Sequence, residues 1–299
     1  MTLRLCTRLL LAACFTFSAL VVQAQSAASC TFHTFQIPAA NGTAIPEGIN
    51  TSGIIVGTIS LATGHTEGFT RFSNGQTNFF QAPNSTDTAI ARRTAAGVNV
   101  GSFTPKGSTV SNGFVTHGAK FQSVSFPPHL PTFFSGINSA GIIVGSYLGA
   151  DKHFDAIKLQ NGKFTILRPP GAVDAFASAI NDHGVIVGSF FTGGVDSHGF
   201  VLQNGKIHVL DFPHEVGFGG THLNDISNTG AIVGSVWTGS DTRAAFIFLN
   251  GVFKTITVPN ARLTEANGIN ASNVIVGHAV LVDPQTKNET DTGYTAKCK

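Results

Sequence analysis

This sequence has few charged residues, a single methionine and no long cationic segment. Charged side chains make up 11% of the 299 residues, and the formal net charge is +2. Proteins that bind nucleic acid or an anionic membrane surface usually concentrate Lys and Arg in one run or on one face. No such run occurs here, so neither nucleic acid nor a membrane surface is indicated as a partner.

Recognised catalytic and metal-binding motifs are also missing. The sequence contains no Gly-x-Ser-x-Gly elbow for a nucleophilic serine and no Gly-x-x-x-x-Gly-Lys phosphate loop. Its 11 histidines show neither the i, i+4 spacing of a helical metalloprotease site nor a zinc-finger spacing with cysteines or acids. We therefore expect no metal and no cofactor.

Long apolar runs are absent except at the N-terminus. Arg4 and Arg8 precede an apolar run over 9–22, and Val22-Gln23-Ala24 supplies the small residues that precede a signal-peptidase cut. This pattern predicts a signal peptide over 1–24 and an exported mature chain from 25 onward. No later stretch approaches the ~20 apolar residues of a spanning helix, so no membrane span is expected.

An alternative cleavage site lies earlier in the same apolar run. Leu11-Ala12-Ala13-Cys14 resembles a lipoprotein cleavage box. Cleavage there would leave 15–22, which are largely apolar, on the mature chain. The signal-peptidase cut after Ala24 is therefore the favoured interpretation.

The sequence does contain a sixfold repeat. A segment of the type Gly-Ile-Asn-x-x-Gly-Ile-Ile-Val-Gly recurs every 43 to 46 residues and ends at Gly57, Gly101, Gly145, Gly188, Gly234 and Gly277. This period indicates an array of similar supersecondary units. Because all six units share the motif, it describes how they fold and stack, and a functional site is to be sought where they differ.

Each unit is predicted to be a four-stranded meander. Within 176–213, turns at Asp182-His183-Gly184 and Asn204-Gly205 and a Gly-rich loop separate four short apolar segments, and Pro213 ends the last. Asn-Gly is a strong hairpin signal because both residues tolerate positive φ. The dipeptide recurs at the same place in other units, at Asn74-Gly75, Asn161-Gly162 and Asn250-Gly251.

The apolar pattern indicates how the meanders assemble. Ile54-Ile55-Val56 and Val274-Ile275-Val276 are continuous apolar runs, which are typical of strands covered on both faces. A radial stack of four-stranded blades covers every blade in this way. We therefore predict an all-β, six-bladed β-propeller forming one domain over 25–299. A linear β-solenoid is the alternative, but it would usually have a shorter repeat and need end caps.

The sixth unit lacks a fourth strand, and the N-terminus is predicted to supply it. The unit stops near Gly293-Tyr294-Thr295, while 31–38 resembles the fourth-strand segments of other units. In this register Cys30 and Cys298 both fall where the other blades have a hairpin turn. We predict a disulfide between them, since they are the only cysteines of the exported chain. Two unpaired thiols are the alternative.

The repeats resemble a known family. His198-Gly199-Phe200, together with the Ile-Asn and Val-Gly elements, is similar to the HAF repeats of bacterial extracellular proteins. The likeness covers about residues 30–299, although the His-Ala-Phe tripeptide is altered, as in Glu-Gly-Phe at Glu67 and Asn-Gly-Phe at Asn112. The resemblance implies a secreted, propeller-like protein of the periplasm or the extracellular space. It brings no established activity and no catalytic residue.

Candidate binding residues lie in the loops that vary between units. In a meander propeller, the loops joining one blade to the next and those joining second to third strands open on one face, where ligands usually bind. The widest inter-blade loop spans 213–222. The candidates on this face are His214, Glu215, His222 and Glu265, with Phe133, Phe134 and Phe176 as an apolar floor for a sugar ring.

The second unit departs from the motif itself. It has Arg92-Arg93-Thr94 where its neighbours have Gly-Ile-Asn, which puts two cations on the innermost strand. Arginines facing a central channel would bind a carboxylate or sulfate through paired hydrogen bonds. The alternative is a degenerate repeat whose arginines reach solvent or pair with a nearby acid.

Three functional classes remain. The favoured one is a secreted binding or scaffold protein, a monomer that engages an extracellular polysaccharide or a protein. The second is a polysaccharide hydrolase or lyase in which Arg92 or Arg93 holds an acidic sugar while His222 and Glu265 transfer protons. The third is a structural envelope protein without a small ligand.

Overall fold

The computed structural model describes residues 26–38, 43–194, 196–213, 220–237 and 243–299. Regular structure in these residues consists of 25 β-strands. The same residues contain no helix that could span a membrane. The predicted signal peptide over 1–24 lies outside the described residues.

The strands form six antiparallel blades, as predicted. Two N-terminal strands come first, β1 (Ser26–Ala27) and β2 (Cys30–Phe35). Blade one comprises β3 (Ala44–Ile49), β4 (Ile55–Ser60), β5 (Thr66–Arg71) and β6 (Thr77–Phe80). Blade two comprises β7 (Ser85–Arg93), β8 (Asn99–Pro105), β9 (Asn112–His117) and β10 (Lys120–Val124). Blade three comprises β11 (Thr132–Ile137), β12 (Ile143–Leu148), β13 (Phe154–Gln160) and β14 (Lys163–Leu167).

The second half of the ring repeats this order. Blade four comprises β15 (Asp174–Ile180), β16 (Ile186–Phe191), β17 (Ser197–Gln203) and β18 (Lys206–Val209). Blade five comprises β19 (Thr221–Ile226), β20 (Ile232–Trp237), β21 (Arg243–Leu249) and β22 (Val252–Ile256). Blade six comprises β23 (Ala261–Ile269), β24 (Val274–Val282), β25 (Glu289–Cys298) and the N-terminal β2. The first strand of each blade contacts the first strand of the next, and β23 contacts β3, which closes the ring.

The predicted closure of the ring is confirmed. β2 pairs antiparallel with β25, and Cys30 lies directly opposite Cys298 in this pair. The two cysteines form a disulfide, with their Cα atoms 4.1 Å apart. This bond joins the start of β2 to the end of β25, where the other blades have a hairpin turn.

One strand was not predicted. β1 pairs in parallel with β22, the outermost strand of blade five, through Ser26 opposite Lys254 and Ala27 opposite Thr255. Blade five therefore has five strands. The segment formed by β1 and β2 links the outer edges of blades five and six before the chain enters blade one.

The repeated glycine has a packing reason. A Cβ atom on Gly57 would lie 2.1 Å from the carbonyl oxygen of Ile45 on the first strand. A Cβ atom on the glycine that ends the motif in each other blade would lie about as close to a first-strand carbonyl oxygen. Only a residue without a side chain fits there, which explains why the motif recurs with glycine at this place.

The repeated asparagine joins each blade to its neighbour. Asn50 Oδ1 accepts the N–H groups of Ser52 and Ile54 in its own turn, while its Nδ2 donates to Thr94 O of the next blade at 3.2 Å. The described residues contain four such inter-blade bonds, from Asn50 to Thr94, Asn138 to Asn181, Asn181 to Ser227, and Asn270 to Asn50. The last of them crosses from blade six to blade one. The Ile-Asn-x-x-Gly element is therefore an assembly device.

Candidate functional site

A cavity of about 770 Å³ lies on the axis of the propeller. It is lined by residues of the innermost strand of every blade. The ends of second strands and the starts of third strands contribute Phe191, Trp237, Ser197 and Arg243. These strand ends belong to the face on which the inter-blade loops and the second-to-third loops open.

A β-bulge in every innermost strand shapes the wall of this cavity. The register of the first and second strands shifts at the same place in all six blades, and one extra residue stands in each shift. Bulges re-aim side chains and are frequent next to functional sites. The six bulge residues are Glu47, Ala91, Ser135, Ser178, Asn224 and Asn267, and all of them line the cavity.

The residue after each bulge is the next position on the innermost strand, and of these six only Arg92 lines the cavity. At this position four blades have a small residue, Gly48, Gly136, Ala179 or Gly268, whereas blade two has Arg92 and blade five has Asp225. The Nε atom of Arg92 lies 3.5 Å from Oδ2 of Asp225. Burial raises the pKa of Asp225, and the positive charge of Arg92 opposes that rise.

The guanidinium of Arg92 is hydrogen-bonded to backbone groups of the protein. Its two terminal nitrogens donate to four backbone carbonyls at 2.5 to 3.0 Å, those of Glu47, Ala91, Asn224 and Asn267. Its Nε–H faces Asp225 at 3.5 Å but makes no hydrogen bond. The side chain lines the cavity, and its four carbonyl contacts hold neighbouring blades together.

Arg93 lies elsewhere. It does not belong to the cavity wall, and its Nη1 donates to Asn99 Oδ1 at 2.8 Å beside the turn between β7 and β8. Partial burial lowers the pKa of its guanidinium. The structure therefore separates the two arginines that the sequence suggested as a pair facing the channel.

One side of the cavity is aromatic. Rings follow one another from blade three to blade five, with centroid separations of 4.8 to 6.4 Å, in the order Phe133, Phe154, Phe176, Phe191 and His222. Phe133, Phe176 and Phe191 are half-buried and line the cavity. Phe134 also reaches the wall, but its ring is almost fully buried.

The part of the wall formed by blades five and six carries charge. Arg243 stacks on the ring of Trp237 at 4.0 Å and donates a hydrogen bond to Glu265. His278 lies between two acids, with Nδ1 3.8 Å from Glu265 and Nε2 2.8 Å from Asp291. These contacts form one chain of charged groups along blades five and six.

The protonation of this chain follows from its contacts. Burial alone would raise the pKa of Glu265, but His278 and Arg243 lower it below its usual value. Burial alone would lower the pKa of His278, but its contacts with Glu265 and Asp291 raise it. Glu265 is therefore held ionised and His278 is biased toward its cationic form.

His222 is biased toward its neutral form. Its Nε2 lies 3.0 Å from the hydroxyl of Ser197, and burial together with the charge of Arg243 lowers its pKa. His222 and Glu265 thus line the same cavity, on either side of Arg243. The other two loop candidates, His214 and Glu215, lie outside the described residues.

Sequence reasoning missed four residues of the site, Glu47, Trp237, Arg243 and His278. A strict alignment of the repeats would have shown two of them. Glu47 is the one acid among the six bulge residues, and His278 follows the Val-Gly element where the other blades have Thr58 or a serine. Trp237 is the only tryptophan of the chain, which is a weaker signal.

No protein-family model and no curated protein matches this sequence significantly. Solved structures with the same fold do match. A catalytically inactive variant of virginiamycin B lyase from Staphylococcus aureus, with quinupristin, is 12% identical over 90% of this chain and 99% of its own, with a TM-score of 0.50. AofleA from Arthrobotrys oligospora is 11% identical over 90% of this chain and 89% of its own, with a TM-score of 0.53.

A third similar structure is a variant of the Aleuria aurantia lectin in complex with alpha-methyl-L-fucoside. It is 12% identical over 84% of this chain and 94% of its own, with a TM-score of 0.52. At these identities the likeness establishes the propeller fold alone. An activity has to be argued from the site itself.

Proposed function

We propose that this protein is a secreted propeller that binds a saccharide in its axial cavity. The observation that carries the proposal is the two-sided wall, with the rings of Phe133, Phe176 and Phe191 facing polar and charged side chains. Sugar rings have apolar faces that stack on aromatic side chains and hydroxyl edges that need hydrogen-bond partners. A cavity of about 770 Å³ is within the usual ~300–1,000 Å³ of ligand pockets.

Two further points support the proposal. One of the similar propellers is a lectin in complex with a fucoside, which is a precedent for saccharide binding on this fold. Export is consistent with the disulfide between Cys30 and Cys298, because such bonds persist in oxidising compartments. The predicted signal peptide and the resemblance to HAF repeats of extracellular proteins point the same way.

The chain carries its own reporter of occupancy. Trp237 is the only tryptophan and lines the cavity. The mature, oxidised protein is titrated with neutral, N-acetylated, amino and uronic oligosaccharides while tryptophan fluorescence is followed. Each mixture is then analysed for shortened oligosaccharides, because their release would favour a polysaccharide-degrading enzyme over a binding protein.

Phe176→Ala is the decisive variant. Removing this ring should weaken binding about tenfold, equivalent to ~1.4 kcal/mol, because the sugar loses its stacking surface. Phe79→Ala is the matched control, since Phe79 is an exposed aromatic outside the cavity. Binding that is equal in both variants, or no binding of any oligosaccharide by the wild type, would contradict the proposal.

A further inference from the structure

Glu47 is the one acid at the six bulge positions, and its carboxylate has no partner. Four other ionisable side chains of the described residues line the cavity, and each of them is engaged. Arg92 pairs with Asp225, Arg243 with Glu265, and His222 bonds to Ser197. The carboxylate of Glu47 makes no hydrogen bond or ion pair, although it is half-buried. Its oxygens are not fully buried, so they are open to the cavity and can accept a partner from a ligand.

The bulge residues of blades five and six make a hydrogen bond between blades that the side chain of Glu47 does not make. Asn224 donates from its side-chain amide to Ala266 O of the next blade, and Asn267 donates to Pro46 O. An ionised carboxylate is an acceptor only and cannot make such a bond. The side chain of Glu47 therefore makes no bond between blades at a position where an amide would, although its backbone carbonyl accepts one from Arg92.

The surroundings of Glu47 leave its charge unbalanced. Burial raises the pKa of its carboxyl, and the negative charge of Glu265 raises it further. The positive charges of Arg92 and His278 lower it, but the net effect is a raised pKa. Those three neighbours are already engaged, Arg92 with Asp225 and backbone carbonyls, and Glu265 with Arg243 and His278. A ligand that brought a positive charge with N–H donors would restore the ionised form of Glu47.

We propose that Glu47 recognises an ammonium group, so that the preferred ligand of the cavity is an amino sugar with a free amine. This inference rests on the proposed saccharide-binding function. An ammonium offers three donors and a charge that a carboxylate pairs with directly. The aromatic rings of the opposite wall tolerate a cation on their faces. A uronic acid, in contrast, would be repelled by Glu47.

Three trisaccharides test the inference, because they share a β-1,4-linked glucose backbone and differ only at carbon 2. They are cellotriose with a hydroxyl, chitotriose with a free amine, and its N-acetylated form. At about pH 6.5, fluorescence titration of the wild type should give about tenfold tighter binding of chitotriose than of either other sugar. Glu47→Gln should remove that preference and leave the affinity for cellotriose within about twofold.

Glu67→Gln is the matched control, because Glu67 lies on the third strand of the same blade and outside the cavity. It should keep the preference for chitotriose. Glu47→Gln should also keep the melting temperature of the wild type, since the carboxylate makes no bond that the amide would lose. Toward acid pH the wild-type affinity for chitotriose should fall as Glu47 gains a proton, and Glu47→Gln should lack this dependence.

The outcomes separate the two proposals. Equal affinity for the three sugars would overturn the amine inference and leave saccharide binding intact. No binding of any trisaccharide would overturn both. Shortening of a trisaccharide by the wild type but not by Glu47→Gln would assign Glu47 as a proton donor instead, and would also overturn the amine inference.

Discussion

Arg92 and Asp225 meet at the axis of the propeller from opposite blades. They occupy the same repeat position in blades two and five, and the Nε atom of Arg92 is 3.5 Å from Oδ2 of Asp225. The same carboxylate oxygen accepts the N–H of Ile269, while Arg92 bonds to carbonyls of blades one, five and six. Two departures from the repeat are therefore one structural feature that ties four blades together.

Removing Arg92 should strongly destabilise the fold. Arg92→Ala leaves Asp225 buried without its cation and leaves four carbonyls without a donor, so the free energy of unfolding should fall by about 3–5 kcal/mol. Urea denaturation followed by circular dichroism measures the change. Arg168→Ala is the control, because its ion pair with Asp155 is exposed, and it should leave stability nearly unchanged.

The double variant Arg92→Gly/Asp225→Gly distinguishes pairing from a general loss of contacts. It restores a small residue at both positions, as in the other blades. Its stability loss should be clearly smaller than the sum of the losses in the single variants Arg92→Gly and Asp225→Gly, because the buried charge and its partner are removed together. Strict additivity would show that the two residues do not act as a pair.

The inter-blade asparagines should contribute equally inside the ring and at its seam. Asn270→Ala removes the bond to Asn50 O and two bonds within its own turn, which should cost about 1–3 kcal/mol. Asn138→Ala should cost a similar amount, since it makes the same inter-blade bond within the continuous chain. Thermal unfolding measures both, with the exposed Asn78→Ala as a neutral control. A much smaller effect at Asn270 would mean that blades six and one are held by other contacts.

The fold was predictable because its signals are local and repeated. Gly57 and its equivalents, the Ile-Asn elements and the Asn-Gly turns each specify a backbone geometry within a few residues. Even the use of the N-terminal strand as the fourth strand of blade six, closed by Cys30 and Cys298, follows from counting which strand that unit lacks. The short strand β1 was not predictable in this way, because it is an addition to blade five that no other blade repeats.

The site was only partly predictable because its distinctive residues are those at which one repeat differs from the others. Phe133, Phe176, His222 and Glu265 were singled out and do line the cavity. The sequence shows that Arg92 is unusual, but its partner Asp225 lies 133 positions away and is chosen by the opposite location of the two blades. The bulge that turns Glu47 toward the axis is a property of strand register, which sequence alone does not display.

The two histidines of the cavity region should respond oppositely to pH. The pKa of His278 is raised in the folded protein, so its stabilising contribution is complete below about pH 6.5 and is lost as the pH rises through its folded pKa. The pKa of His222 is lowered, so the unfolded chain binds more protons between the folded pKa and about pH 6.5. Stability should rise with pH across that second window.

His278→Gln and His222→Gln measure these contributions separately. Urea denaturation from about pH 5 to about pH 8 should show the difference between wild type and His278→Gln shrinking as pH rises. The difference between wild type and His222→Gln should grow over the acid half of the range. Parallel pH profiles of all three proteins would contradict the assignment of both pKa directions.

The disulfide should stabilise the fold mainly by restricting the unfolded chain. Cys298→Ser should lower the free energy of unfolding by about 2–4 kcal/mol, because the bridge restricts a loop of 268 residues in the unfolded chain. Thermal unfolding of the oxidised wild type and the variant measures this loss. A reducing agent should lower the melting temperature of the wild type to that of the variant and leave the variant unaffected.

With this bridge formed, the backbone from Cys30 to Cys298 is a covalent circle. A single protease cut in any inter-blade loop would open the circle without releasing a fragment, and all six blades would remain on one connected molecule. Blade six differs from the other blades in that a disulfide closes the circle there, where the others have a hairpin turn. Within this circle the place where the chain is opened is therefore arbitrary for the six blades, as in a circular permutation, and only β1, which precedes Cys30 and pairs with blade five, marks one place.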